Sequence, residues 1–404
     1  MSIATRSLPT AGLRQALFAY AFRPFFLAVA LYAIAVTGYW SLAVTGLLPL
    51  PFGAAMIAWH AHELVFGVAS AALAGFLLTA VPEWTGVKPL TGRRLERLFL
   101  LWLLARIAAW LLPLLGPLPM ALLNLLFTLI TGLRVAPGIW CGAHGRHRVF
   151  VYLVAALGVV QLLAYFNWLM ADLLQVRLLL NSAIGVFLLL ILAALGRISM
   201  VIVNEALQKR GVEDERFLAR PPRRQYAMGI LALFLVVDYL APYSSVGGWI
   251  ALATAAAILN ILNDWHLPGV WRDFYVRVLY LVYLSLAGGF ALLGMDALWQ
   301  GFPSNFARHV LTVGGMGMAI LAVLTIAGLR HSGRDLDYHP MVKWSFRLLL
   351  LAMLARVVPP LLGPGSVQPI GYGLSALLWC GGYVLYFVYF RKKLICARVD
   401  GLPG

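Results

Sequence analysis

Two histidines and a glutamate stand together in the stretch Trp59-His60-Ala61-His62-Glu63-Leu64-Val65-Phe66-Gly67. Imidazoles and carboxylates are the groups that ligate metals and carry protons near neutral pH. On an α-helix, residues two apart point about 160° from each other, so His60 and His62 cannot both ligate one metal from one face. Helical metal-binding pairs usually sit three or four apart. The spacing therefore predicts one axial ligand from this stretch, with the other imidazole in a supporting role or a neighbouring site. His60 and Glu63, three apart, share a face, so Glu63 can fix an imidazole or join a second metal.

The elements that must position these groups lie in a membrane. The chain of 404 residues is 62% hydrophobic and 11% charged, far below the charge of soluble domains, about 25%. The cluster lies inside an apolar run, 54–81, long enough to cross a bilayer, which takes about 20 residues. Ionisable groups at that depth cost roughly 2.5–3.5 kcal/mol each, so they face a protein interior and mark functional sites. The sequence reads as an all-α polytopic membrane protein, one domain over 1–404, with about twelve transmembrane helices. Those that carry chemistry are the second (54–81), third (97–116), sixth (177–203), tenth (305–328) and eleventh (341–362).

Charge sets the expected orientation. Connections rich in Lys and Arg, such as Lys88–Arg97 and Lys209–Arg224, alternate with connections that contain none. With both termini in the cytoplasm, every basic connection falls inside, as the positive-inside rule requires. The net charge of +16 is then an orientation and lipid signal, and a nucleic-acid partner is set aside. The cytoplasmic loop 204–225 reads as a short interfacial helix followed by a stiff basic connection that attracts anionic headgroups. Three scattered cysteines, Cys141, Cys380 and Cys396, imply no disulfide framework. Cys141, His144 and His147 have metal-clip spacing but lack an evident fourth ligand.

A partial internal repeat links the second and third spans to the tenth and eleventh. His62, Gly67, Thr85-Gly86 and Arg106 in Leu-Ala-Arg are echoed by His309, Gly314, Ser332-Gly333 and Arg356 in Leu-Ala-Arg, each pattern closing on Leu-Leu-Gly-Pro. The sixth span carries a weaker copy at Asn181 and Gly185. Three four-helix repeats fit this pattern, and chance similarity among Leu- and Ala-rich helices is the competing reading. Depth allows His309 to pair across helices with His62 or His60, the alignment favouring His62. Gly67 and Gly314 would leave room for a flat macrocycle, giving a six-coordinate b-type haem site. Arg106 and Arg356, inside their spans, each need an anionic partner such as a haem propionate, or Glu63 for Arg106. His331 lies about 33 Å below His309 on an ideal helix and can serve only the opposite edge, for a propionate, a headgroup or another ligand.

The motifs Phe22-Arg23-Pro24-Phe25-Phe26, WHAHELVFG (59–67), GFLLTAVPEWTG (75–86), HVLTVGGMG (309–317) and LRHSGR (329–334) resemble the NnrS family of bacterial membrane proteins. The resemblance implies a twelve-span protein of the cytoplasmic (inner) membrane that binds haem and copper and belongs to denitrification and nitric-oxide stress resistance. Tyr165 and Tyr280 stand where His is frequent in the family, which puts copper in doubt for this chain. A weaker likeness, in architecture alone, is to haem-copper oxidase catalytic subunits, whose low-spin haem is held by the second and tenth helices. A six-coordinate haem suits sensing or electron transfer, with a quinol as one partner. An open iron position suits nitric-oxide binding or a haem-dependent oxidoreductase acting on it. The alternative is a transporter with a polar intramembrane cavity lined by Glu63, Arg106 and Arg356 and no redox cofactor.

Overall fold

The computed structural model describes residues 12–142, 145–212, 216–267, 269–299, 304–361 and 367–401, and these are helical with no sheet. Nine helices among them are long and apolar enough to cross a membrane. They include α1 (Phe22–Val44) and the composite α2 (Gly53–Thr85). The shorter α3 (Gly92–Trp110) follows, then α4 (Pro117–Cys141), α5 (Arg148–Leu169) and α6 (Leu173–Gln208). Beyond them run α7 (Pro221–Leu240), α8 (Ser245–Leu262) and α9 (Phe274–Trp299). Ser304–His309, Val310–Gly317 and Met318–His331 continue one another as α10, followed by α11 (Pro340–Leu361) and α12 (Val367–Ile395). The protein is thus a polytopic helical membrane protein embedded in a lipid bilayer.

Local chemistry sets the boundaries. Pro117 and Pro221 open α4 and α7 at positions where the missing N–H goes unneeded. Side chains of Asp172 and Ser244 cap α6 and α8 by accepting from the amides of Gln175 and Gly247. Hydropathy alone places the third span at 97, yet α3 starts at Gly92 and holds Arg93, Arg94 and Glu96 in its first turns. Charge ends an apolar run without ending a helix at an interface. In the 204–225 loop the expected interfacial helix is absent among the described residues. Instead α6 continues to Gln208 and 216–220 is extended before Pro221.

Three helices make the centre. The apolar windows of α2, α6 and α10 are 83%, 72% and 72% buried, the highest shares of the nine. Ser70–Thr85 of α2 packs against Met318–His331 of α10, and the N-terminal halves of both rest on α6. The remaining helices surround them, α12 closing against α1.

Both α2 and α10 widen into a π-helix at matching places: Glu63–Ala69 begins directly after His62, and Val310–Gly317 directly after His309. Such segments inside α-helices concentrate at functional sites. Both helices also end on a left-handed glycine, Gly86 and Gly333, each with φ of +73°. A side chain with Cβ is strained in that region. Replacing Gly86 with Val is expected to cost about 1–2 kcal/mol, while Gly86→Asn costs less. Chemical unfolding in mixed micelles measures both.

Candidate functional site

The N-terminal half of α2 presents two faces, and each organises a different set of partners. Glu63 is fully buried, 0% exposed, beside His62 at 0% and Arg106 at 2%. Its Oε1 accepts from His62 Nδ1 at 2.6 Å and from Arg106 Nη1 at 2.8 Å, and its Oε2 accepts from the Tyr32 hydroxyl. The wider π turn that starts at Glu63 lets two neighbours in sequence meet. With Nδ1–H given to the carboxylate, His62 Nε2 is an acceptor, and the Tyr165 hydroxyl 2.8 Å away donates to it. Gln161 Nε2 donates in turn to the Tyr165 oxygen at 3.4 Å, and Trp110 Nε1 to the Tyr32 oxygen at 3.0 Å. Arg106 uses its other amino group on the Asn124 side-chain oxygen, and the Asn124 amide donates to the Met120 carbonyl at 2.8 Å. The Tyr32, His62 and Arg106 donors from α1, α2 and α3 converge on one carboxylate, α5 donates to His62, and α4 accepts from Arg106.

Gly67 explains how Arg106 gets there. A Cβ at Gly67 would collide with Tyr32 and with Arg106 Nη1, so its absence lets both partners lie against the backbone one turn from Glu63. The same contact recurs in altered chemistry: Met353 of α11 and Ser285 of α9 occupy the space at Gly314, and Leu235 of α7 the space at Gly185. Neither Gly67 nor Gly314 therefore leaves room for a macrocycle; the room is filled by neighbouring side chains. The contact at Gly314 also makes Met353 the packing counterpart of Arg106, a place that the Leu-Ala-Arg alignment gave to Arg356.

On the other face, His60 stacks on Trp40 with ring centroids 4.1 Å apart and planes 18° apart. Its Nδ1 is buried and finds no hydrogen-bond partner among the described residues. His60 and His309 are electrostatic neighbours, and Arg356 acts on both. His309 Nδ1 donates to the Asn305 carbonyl at 2.7 Å, which leaves its Nε2 with the lone pair a metal needs. The Arg356 guanidinium lies 3.7 Å from the centroid of the Tyr372 ring. Among the described residues no carboxylate pairs with it.

At the opposite end of α10, His331 Nδ1 pairs with Glu83 at 2.8 Å and its ring lies 5.5 Å from Phe22. That protein carboxylate takes the place expected for a propionate or headgroup. Of the candidate clip, His147 stacks on Trp84 and accepts from Arg197 at 2.7 Å, Cys141 is exposed, and His144 lies outside the described residues. Among the described residues no group of three or more His, Cys, Asp or Glu is placed to hold a metal ion. The copper expectation thus has no donor set there.

Sequence reasoning missed Tyr32, Trp110, Asn124 and Gln161. Asn124 and Gln161 carried a readable signal, since amides are uncommon in apolar spans and serve there as interhelical hydrogen-bonders. Tyr32 and Trp110 sit among many aromatics and carried none.

These features define a polytopic membrane protein with a buried ionic cluster on one face of α2 and His60 on the other. The chain belongs to the NnrS family: residues 16–398 match the model of the NnrS protein. No curated protein matches it.

Removing one partner of a buried ion pair leaves the other charge uncompensated, at about 3–5 kcal/mol. Glu63→Gln and Arg106→Met are each expected to destabilise by that order, and the double variant by clearly less than their sum. Unfolding in mixed micelles across the double-mutant cycle reads the coupling.

Proposed function

We propose that this protein is a haem-binding membrane protein of the nitric-oxide response, with His60 and His309 as the axial pair of a b-type haem. One observation carries the choice of ligands: both nitrogens of His62 are bonded to protein groups, whereas His60 Nδ1 is buried without a partner. Moving the pairing from His62 to His60 keeps the cross-helix site and changes which half of the motif serves it. Trp40 fixes the plane of the His60 ring, the Asn305 carbonyl fixes the tautomer of His309, and Arg356 is the cation for a propionate. Bound there, a haem would supply one-electron chemistry and an iron able to bind nitric oxide. Nitric oxide and a quinol are the partners this reading implies.

The same reading takes α1 to α12 as twelve spans in three four-helix units, each placing its second helix at the centre. The glycine contacts support it, because Gly67, Gly185 and Gly314 each receive a side chain from the next helix of its unit: Arg106, Leu235 and Met353. The end that carries Lys88–Arg97 and Lys209–Arg224 is placed in the cytoplasm with both termini, in a bacterial inner membrane. The transporter alternative needs Glu63, Arg106 and Arg356 around one open cavity. Glu63 and Arg106 are instead sealed against each other, and Arg356 stands with the other pair.

Expressed with ample haem and purified in detergent, the protein is expected to show a Soret band. Most bound haem is lost in His60→Ala and in His309→Ala and retained in His62→Gln. Full haem stoichiometry in His309→Ala removes that residue from the site.

A further inference from the structure

The basic end of the bundle holds a cleft of about 540 Å³ between the end of α2, the 87–91 connection, the start of α3 and the end of α4. Its lining combines two chemistries. Lys88, Arg93, Arg94 and Arg134 supply four cations, and Leu78 and Leu133 stand for an apolar wall. No carboxylate is among the lining residues. Some arginines elsewhere at this end are matched: Arg223 with Asp264 at 2.9 Å, Arg330 with Glu205, and Arg398 with Asp400 at 2.6 Å. Glu96, the acidic residue nearest on α3, is held in a two-point bond by Arg14 at 3.0 and 2.6 Å. Among the described residues the four cleft cations form no ion pair or hydrogen bond, a large concentration of unmatched positive charge in one concavity.

We propose that this cleft is a binding site for an anionic phospholipid, with the phosphate among Lys88, Arg93, Arg94 and Arg134. Arginine forks match phosphate oxygens in pairs, which singles out that group. The apolar wall decides between a lipid and free phosphate. Leu133 is 62% exposed on the outward face of α4, so the cleft opens sideways toward lipid, and an acyl chain can lie on that wall while the headgroup stays among the cations. Basic pockets between helix ends at this interface are suited to phosphate-bearing headgroups. The site is independent of the imidazole pair, which lies in the opposite half of α2.

The full-length protein in neutral detergent is titrated with short-chain phosphatidylglycerol, short-chain phosphatidylcholine or inorganic phosphate, and its unfolding temperature followed. Saturable stabilisation by phosphatidylglycerol alone is expected. The variant Arg93→Gln/Arg94→Gln/Arg134→Gln weakens the response by about tenfold or more. Leu133→Trp, which narrows the cleft and keeps every charge, weakens it too, whereas Arg391→Gln/Lys392→Gln, removing cations from the end of α12, does not. Equal stabilisation by phosphatidylcholine, a full response to inorganic phosphate, or the same loss in the α12 variant overturns the proposal. Should the triple variant not fold, Leu133→Trp decides alone: an unchanged response contradicts a built cleft.

Discussion

A carboxylate buried at membrane depth is the constraint around which the first five helices of this protein are arranged. Glu63 has no water to solvate it, and a charge so placed is unfavourable by several kcal/mol unless hydrogen bonds and a countercharge replace the solvent. Arg106 supplies the charge, while His62 and Tyr32 complete the shell. Each partner arrives on its own helix, so satisfying one group fixes the relative positions of α1, α2 and α3, and through Asn124 and Tyr165 those of α4 and α5. With all three of its partners bonded to it, the carboxylate specifies one arrangement of the helices that bring them.

The cost of that arrangement falls on His62. An imidazole that donates from one nitrogen and accepts at the other has no lone pair left for a metal, and the motif's second histidine becomes part of the wall. Two positions earlier, His60 points away from the carboxylate, as the helical angle between them requires. His309 and Arg356 are its electrostatic neighbours there. A motif that looks like one site is a partition between two.

Much of this was legible in the sequence, because the bilayer imposes coarse rules. Helix positions followed from apolar run length, and the pairing of Arg106 with Glu63 from the need of a buried guanidinium for an anion. The angle between His60 and His62 correctly put them on different faces of the helix. Which histidine faces which partner was not legible, since the repeat alignment that favoured His62 compares residue types and not what surrounds them. The glycines misled for a similar reason: Gly67 and Gly314 signal close approach, but the sequence does not say whether a macrocycle or a neighbouring side chain approaches. Their contacts show how related positions diverge, with an arginine and a tyrosine in one place and a methionine and a serine in the other. One pattern of packing thus carries an ionic cluster at Gly67 and a neutral contact at Gly314.

The division of labour within Trp59–Glu63 is tested most directly by low-temperature electron paramagnetic resonance of the oxidised, haem-loaded protein with imidazole rescue. The account predicts a low-spin bis-imidazole signal that is lost in His60→Gly, returns when imidazole is added, and persists in His62→Gly. A low-spin signal that survives His60→Gly and disappears in His62→Gly, to be restored there by imidazole, would contradict it.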